Sequence, residues 1–153
     1  MAYHPMTDAE VMEFLQSTPP HTGKLATVRA DGRPHVAPIW FVVDANSAGP
    51  GKPIGDLLFN TDADSLKGKA IRRDPRVALC VDDEHPPFAF VAIEGEATVV
   101  EDLDEVRRWA AVIGGRYMGQ DRAEEFGRRN GMAGELLVRV RVDHVTSAAN
   151  VAE

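Results

Sequence analysis

The sequence predicts a mainly β protein, a small antiparallel barrel of six strands with helical caps. Three observations lead there. Residues 25–43 form two apolar-rich runs around Asp31-Gly32, a strong short-range hairpin signal. Residues 135–147 alternate apolar and polar, the pattern of a half-buried strand. The remaining apolar runs are joined mostly by hairpin-like connections, with only short helical stretches, which argues against a parallel α/β sheet.

Thr7 and Glu10 spell a capping box that opens a short helix to about Gln16, with Val11, Phe14 and Leu15 apolar and Pro19-Pro20 ending it. The hairpin follows, its second strand read as one run from Pro34 to Val43. Pro34 and Pro38 cannot donate to a ladder, so this strand sits at an edge, bears a bulge or stays open for something else. A Gly/Pro loop over 44–56 leads to a strand at Leu57–Thr61. Next comes a helix capped by Asp62 or Asp64, with Ala63, Leu66 and Ala70 facing inward and Pro75 closing it after Asp74. Arg76–Asp82 reads as a buried strand. A His85-Pro86-Pro87 loop precedes a long strand from Phe88 to about Val100, in which Gly95 suggests a bulge or a close approach. A helix opened by Asp102 carries Val106, Trp109, Ala110 and Ile113, and is expected to break near Gly114-Gly115. A further short helix is expected between Asp121 and Arg129. In the last strand Leu136, Val138, Val140 and Val142 face the core; Leu137, Arg139, Arg141 and Asp143 face water.

The 153 residues show no internal repeat and are 44% hydrophobic, enough for one domain with its own core spanning the chain. A net charge of -7 and a pI near 5.2 argue against a duplex nucleic-acid binder. No run reaches the roughly 18 apolar residues of a membrane span. The N-terminus lacks the pattern of a secretory signal. Cys80 is the single cysteine and cannot pair within the chain, so a reducing cytoplasm is the simplest location; its apolar neighbours mark it as an inert thiol.

Against this acidic background, Lys67, Lys69, Arg72, Arg73 and Arg76 cluster on and after the central helix. A helix start has unpaired N–H donors and a positive dipole end; lysines there make a site for a phosphate-bearing ligand. The alternative is a solvated amphipathic face. Lys67-Gly68-Lys69 is no Walker loop, since Ala63 stands where glycine is needed and Ala70 follows the lysine. The five histidines lack metal-ligand spacing, so no metal site is expected. No Ser-His-Asp arrangement and no acid–base pair is legible, so no catalytic side chain is named. That absence suits an enzyme whose cofactor carries the chemistry while the protein positions it.

The stretches LATVRADGRPHVAPIWFVVD (25–44), LLFNTDADSLKGKAIRRDPRVALCVDD (57–83) and IEGEATVVED (93–102), in that order, resemble the flavin/deazaflavin oxidoreductases related to pyridoxamine 5′-phosphate oxidase. The resemblance covers roughly residues 20–146. The first hairpin is most similar to the branch that uses coenzyme F420, a deazaflavin with a phosphate-bearing polyglutamate tail. The resemblance implies a six-stranded antiparallel split barrel and a homodimer with two cofactor sites at its interface. It implies that the ring lies along Pro38, Ile39 and Trp40. Phosphate contacts would come from Asn60, Thr61, Ser65, Leu66 and Lys67, with Lys69 nearby, although family members often carry a basic residue where this chain has Ser65. Phe88 and Phe90 of a partner subunit would close the site.

Three functions fit these implications. One is a deazaflavin-dependent reductase passing hydride to an electron-poor enone, lactone or tetrapyrrole-like molecule. Another is an FMN enzyme of the pyridoxamine-phosphate-oxidase type. The third is a non-catalytic protein that binds or carries the deazaflavin.

Overall fold

The computed structural model describes residues 2–153. The Thr7–Glu10 capping box starts helix α1 (Asp8–Leu15), which buries Val11 and Leu15. Strands β1 (Gly23–Val28) and β2 (Pro34–Ile39) pair antiparallel around a turn where Gly32 adopts φ 87° and donates to the Arg29 carbonyl at 2.9 Å. A positive φ of this kind is why the turn wants glycine.

The run expected as one strand over 34–43 is two. β2 ends at Ile39, and β3 (Val42–Asp44) starts after Trp40 and Phe41. β2 pairs only with β1, whereas β3 pairs with β4 (Asp56–Asp62). The chain changes partner at Trp40-Phe41, so the sheet has seven strands where the sequence suggested six. Their order is β2-β1-β5-β6-β7-β4-β3, every neighbour antiparallel, with β5 at Arg76–Asp83, β6 at Ala89–Val100 and β7 at Glu135–Ala148. Its two edge strands are therefore joined by two residues of chain. Consecutive Cα atoms lie about 3.8 Å apart, so the sheet must curl until its edges nearly meet at that crossover. Hydrogen bonds do not close it.

Because side chains alternate across a strand, neighbouring residues divide between two cores. Phe41, Leu57, Phe59, Val138 and Val140 point into the curled sheet with Leu25, Leu79 and Ile93. Val42, Leu58 and Leu137 point the other way, under helix α3 (Leu103–Met118), with Val106 and Ile113. Leu137 is thus buried, not solvated: α3 covers the face that sequence alternation assigned to water. Among the described residues the inner cluster holds 17 buried side chains against five beneath α3. At about 1.5–3 kcal/mol per fully buried large apolar side chain, the barrel interior dominates the fold and α3 is an addition to it.

Helix α2 (Leu66–Arg73) is capped by Ser65 rather than by Asp62 or Asp64. The Asp62 carboxylate instead accepts the Asp64 N–H at 2.7 Å, tightening the turn before the helix. Starting the helix at Leu66 rotates its buried face onto Gly68, Ala70 and Ile71 and leaves Leu66 42% exposed. It ends at Asp74, before Pro75, as expected. Gly95 marks a bulge between β6 and β7, where a side chain would collide with the Arg141 carbonyl. Cys80 sits on the outward face of β5, half-buried, and burial followed by the charge of Asp82 pushes its thiol pKa up against the opposing pull of Lys24. That shift disfavours the reactive thiolate, and the residue is not part of the inner core. No helix among the described residues is long and apolar enough to cross a membrane.

α3 runs unbroken through Gly114-Gly115, where a break was expected. The two glycines serve packing instead. Helix α4 (Ala123–Asn130), reached through a short 3-10 turn at Gln120–Arg122, lays Phe126 into the hollow that Gly114 leaves. Gly114→Ala should push α4 away from α3 and destabilise the protein by about 1–3 kcal/mol, the usual cost of overpacking. Urea denaturation followed by circular dichroism measures this, and a variant as stable as the parent would show that the helices shift without cost.

Candidate functional site

β3 covers only Asp56–Leu58 of β4, so residues 59–62 present an open edge; β2, paired only with β1, presents another. Between the open side of the barrel, α2 and the α3–α4 pair lies a cleft of about 430 Å³, lined by Thr22, Pro38, Ile39, Trp40, Asn60, Lys67, Ile113 and Asn130. That volume is within the range of about 300–1,000 Å³ usual for small-molecule sites.

Five of the sequence-predicted residues meet here: Pro38, Ile39 and Trp40 on one wall, Asn60 near the end of β4 and Lys67 at the start of α2. Lys67 is half-buried and makes no ion pair among the described residues. The N–H groups of Leu66 and Lys67, in the first turn, have no partner within the helix. Thr61 and Ser65 are adjacent but committed elsewhere. The Ser65 hydroxyl donates to the Asp62 carbonyl at 2.7 Å and accepts the Gly68 N–H at 3.0 Å. With its one proton so used, it accepts from the buried Thr61 hydroxyl at 2.9 Å. These hydroxyls hold the turn that aims Lys67.

Leu66 and Lys69 lie outside the cleft, in a separate basic depression with Arg29, Arg33 and Arg73 beside the hairpin turn. Phe88 and Phe90 do not line the cleft within one chain. Phe88 is 42% exposed, with φ 64°. Phe90 is half-buried and pairs with Asp82 and Ala148.

Thr22, Ile113 and Asn130 were not legible as site residues. They come from three separate segments, and only the packing of α3 and α4 over the sheet brings them to Trp40. The sole local hint is the apolar spacing that put Ile113 on a buried helix face.

Trp40 is held by α3 and α4. Its indole stacks on Tyr117, centroids 5.2 Å apart and planes within 5°, and meets Phe126 edge-on at 5.7 Å. The Tyr117 hydroxyl accepts the Phe41 N–H (3.2 Å) and donates to the His21 carbonyl (2.7 Å). Beside it, Arg116 donates to the carbonyls of Phe41 (2.6 Å), Leu15 (2.8 Å) and Ser17 (3.4 Å). Among the described residues Arg116 faces no carboxylate, and burial lowers its pKa from the ordinary arginine value, while burial raises that of Tyr117.

The arrangement suits a flat ligand with an anionic tail. A ring can lie along the proline-bearing strand, whose free edge offers backbone groups, and the tail can reach two open N–H donors and an unpaired lysine. Nothing among the described residues assembles three metal-ligating side chains.

The fold is a split barrel, and its cleft has a shape and charge that would suit such a ligand. The family comparison agrees: a model described as pyridoxamine 5′-phosphate oxidase matches residues 7–148, and the chain belongs to this family. Among solved structures it resembles the conserved hypothetical protein Rv2991 from Mycobacterium tuberculosis, 28% identical, TM-score 0.77, covering 95% of this chain and 86% of that one. It also resembles an F420 reductase, 26% identical, TM-score 0.64, covering 87% and 94%. An FAD-binding protein from Mesorhizobium loti, 17% identical with TM-score 0.67 over 97% and 98%, shares the fold. No curated protein matches the sequence.

Near the anionic end, Asp62 and Glu135 face each other across β4 and β7. Burial first, then Asp62, raises the Glu135 pKa, while Lys67 pulls it down. A carboxyl whose folded pKa is raised costs stability as pH climbs from its unfolded value through its folded one. Glu135→Gln should therefore raise the melting temperature at pH 7 and lose that advantage below about pH 4, where both forms are neutral. A gain independent of pH would point to packing instead.

Proposed function

We propose that this protein is an oxidoreductase that uses coenzyme F420 to pass hydride to an electron-poor small molecule such as an enone, a lactone or a tetrapyrrole-like compound. The observation carrying this reading is that one cleft joins an open, proline-bearing strand beside Trp40 to an unpaired lysine at a helix start. The likeness to an F420 reductase supports deazaflavin over FMN. The cofactor supplies the hydride chemistry when bound. Pro38 and Ile39 provide a wall for the ring, Trp40 bounds it, and Lys67 with the first amides of α2 holds the tail phosphate. Thr22 and Asn130, polar and facing the cleft, orient the ligands by hydrogen bonds.

In this reading the protein works as a homodimer in the cytoplasm. Val36 is 64% exposed on the outward face of the edge hairpin, and with Ala26, Ala78, Cys80 and Ala92 it makes an apolar strip, flanked by Lys24, Glu94, His144 and Thr146, on a sheet face near the cleft. α3 packs instead on β3, β4 and β7. A second copy seated there would bring its exposed Phe88 toward the site. Sedimentation should show a dimer at micromolar concentration; a stable monomer would remove the partner's role.

Titrating the purified protein with F420 and with FMN tests the cofactor. F420 should bind with a change in its fluorescence, and Lys67→Ala should weaken that binding by about 1.5–3 kcal/mol, the range for a hydrogen bond to a charged group. The melting temperature should hold, since an ion-pair-free lysine adds little stability. A chromophore already present after purification, identified as FMN, would favour the oxidase alternative. Tight F420 binding without turnover on enones, quinones and tetrapyrroles would favour a carrier.

A further inference from the structure

The wall of the cleft does not hold itself in place. Trp40 and Phe41 belong to no strand, and they are the only covalent bridge between the two edges of the sheet. The Phe41 backbone and the Trp40 ring are fixed from outside by two consecutive residues of α3. The Arg116 guanidinium takes the Phe41 carbonyl with one nitrogen and the Leu15 and Ser17 carbonyls with the other. The Tyr117 hydroxyl joins the Phe41 N–H to the His21 carbonyl, and its ring lies flat on Trp40. The next residue after His21 is Thr22, itself in the cleft.

Arg116 is costly for a purely structural part. Its charge is partly desolvated, and among the described residues it meets three carbonyl oxygens and the faces of the Phe41 and Tyr117 rings, 5.1 and 5.3 Å from their centroids, but no carboxylate. What the pair gains is a fixed spacing. The end of α1, the 17–21 segment and the crossover are all tied to one helix turn, so Trp40 and Thr22 cannot move independently.

We infer that Arg116 and Tyr117 are positioning residues that set the width of the split and the placement of Trp40 and Thr22 against a bound ring. This rests on the oxidoreductase reading for its kinetic consequence, but not for its structural one. Tyr117→Phe keeps the stacked ring and removes only the hydroxyl bridge. Arg116→Lys keeps the charge but cannot fork to three carbonyls.

The test separates position from stability. In a Trp109→Phe background Trp40 is the only tryptophan, so quenching of its fluorescence by acrylamide reports its accessibility without any cofactor. Tyr117→Phe and Arg116→Lys should each raise that quenching at least about twofold while shifting the melting temperature by only a few degrees. With F420 bound, turnover should fall about tenfold to a hundredfold, in line with the rate cost of a displacement of about 1 Å, while cofactor affinity changes less than about threefold. Unchanged quenching in both variants would overturn the inference, as would turnover losses that vanish when the assay is cooled by the same few degrees. A parent protein that binds neither F420 nor FMN would defeat the proposed function, yet the quenching comparison would still decide the clamp.

Discussion

One covalent constraint governs this molecule: the strands at opposite edges of its sheet are neighbours in sequence. Ile39 ends one edge and Val42 begins the other. An open, twisted sheet of seven strands would hold such edges far apart, so the two-residue link forces the curl, and the curl creates an inside. Leu25, Phe59, Val81 and Val138 then meet around Phe41 instead of facing solvent on separate faces. The link also explains the opening. The edges are pinned together at one point and diverge from it, and short β3 leaves the end of β4 uncovered where α2 begins.

Polar chemistry reinforces the pinned corner. On β3 and β4 the Arg139 guanidinium bridges Asp44 and Asp56 at 3.0 Å each, and Lys52 reaches Asp56 at 2.7 Å. Asp56 is nearly buried, so its two cationic partners matter: a buried carboxylate left with no partner would be strongly destabilising. The exposed pairs elsewhere, such as Arg33 with Asp31 or Arg122 with Glu125, add little by comparison. The charge that counts is placed where the sheet edge is shortest.

What could be read from the sequence follows the range of the forces involved. The Thr7–Glu10 capping box, the Asp31-Gly32 turn, the Asp74 helix stop and the Gly95 bulge depend on neighbours or on a single paired strand, and each was legible. The edge position of β2 was readable from Pro34 and Pro38 for the same reason. Apart from the α2 cap, where Ser65 serves in place of Asp62 or Asp64, the errors are non-local. Gly114-Gly115 looks like a helix break until Phe126 arrives to fill the hollow. Leu137 looks solvated until α3 covers it. Residues 34–43 look like one strand because nothing local announces the change of partner at Trp40. Of the residues lining the cleft, Lys67 was singled out by helix-start chemistry and the open strand by its prolines, whereas Pro38, Ile39 and Trp40 as ring contacts came from the family resemblance. Asn130 and Thr22 were not legible, since each is an ordinary polar residue until the chain folds.

The two prolines of β2 have a consequence for the protein's colloidal behaviour. An exposed strand edge beside an apolar surface is a template on which another chain can add a strand, and such edges seed aggregation. Pro34 and Pro38 cannot donate a main-chain hydrogen bond, and both lie on the exposed edge strand. Alternate residues of β2 turn their backbone nitrogen toward the free edge, and of Pro34, Val36 and Pro38, which do so, only Val36 can donate to a foreign strand. The free edge that leaves room for a ligand is thereby made a poor template for another strand.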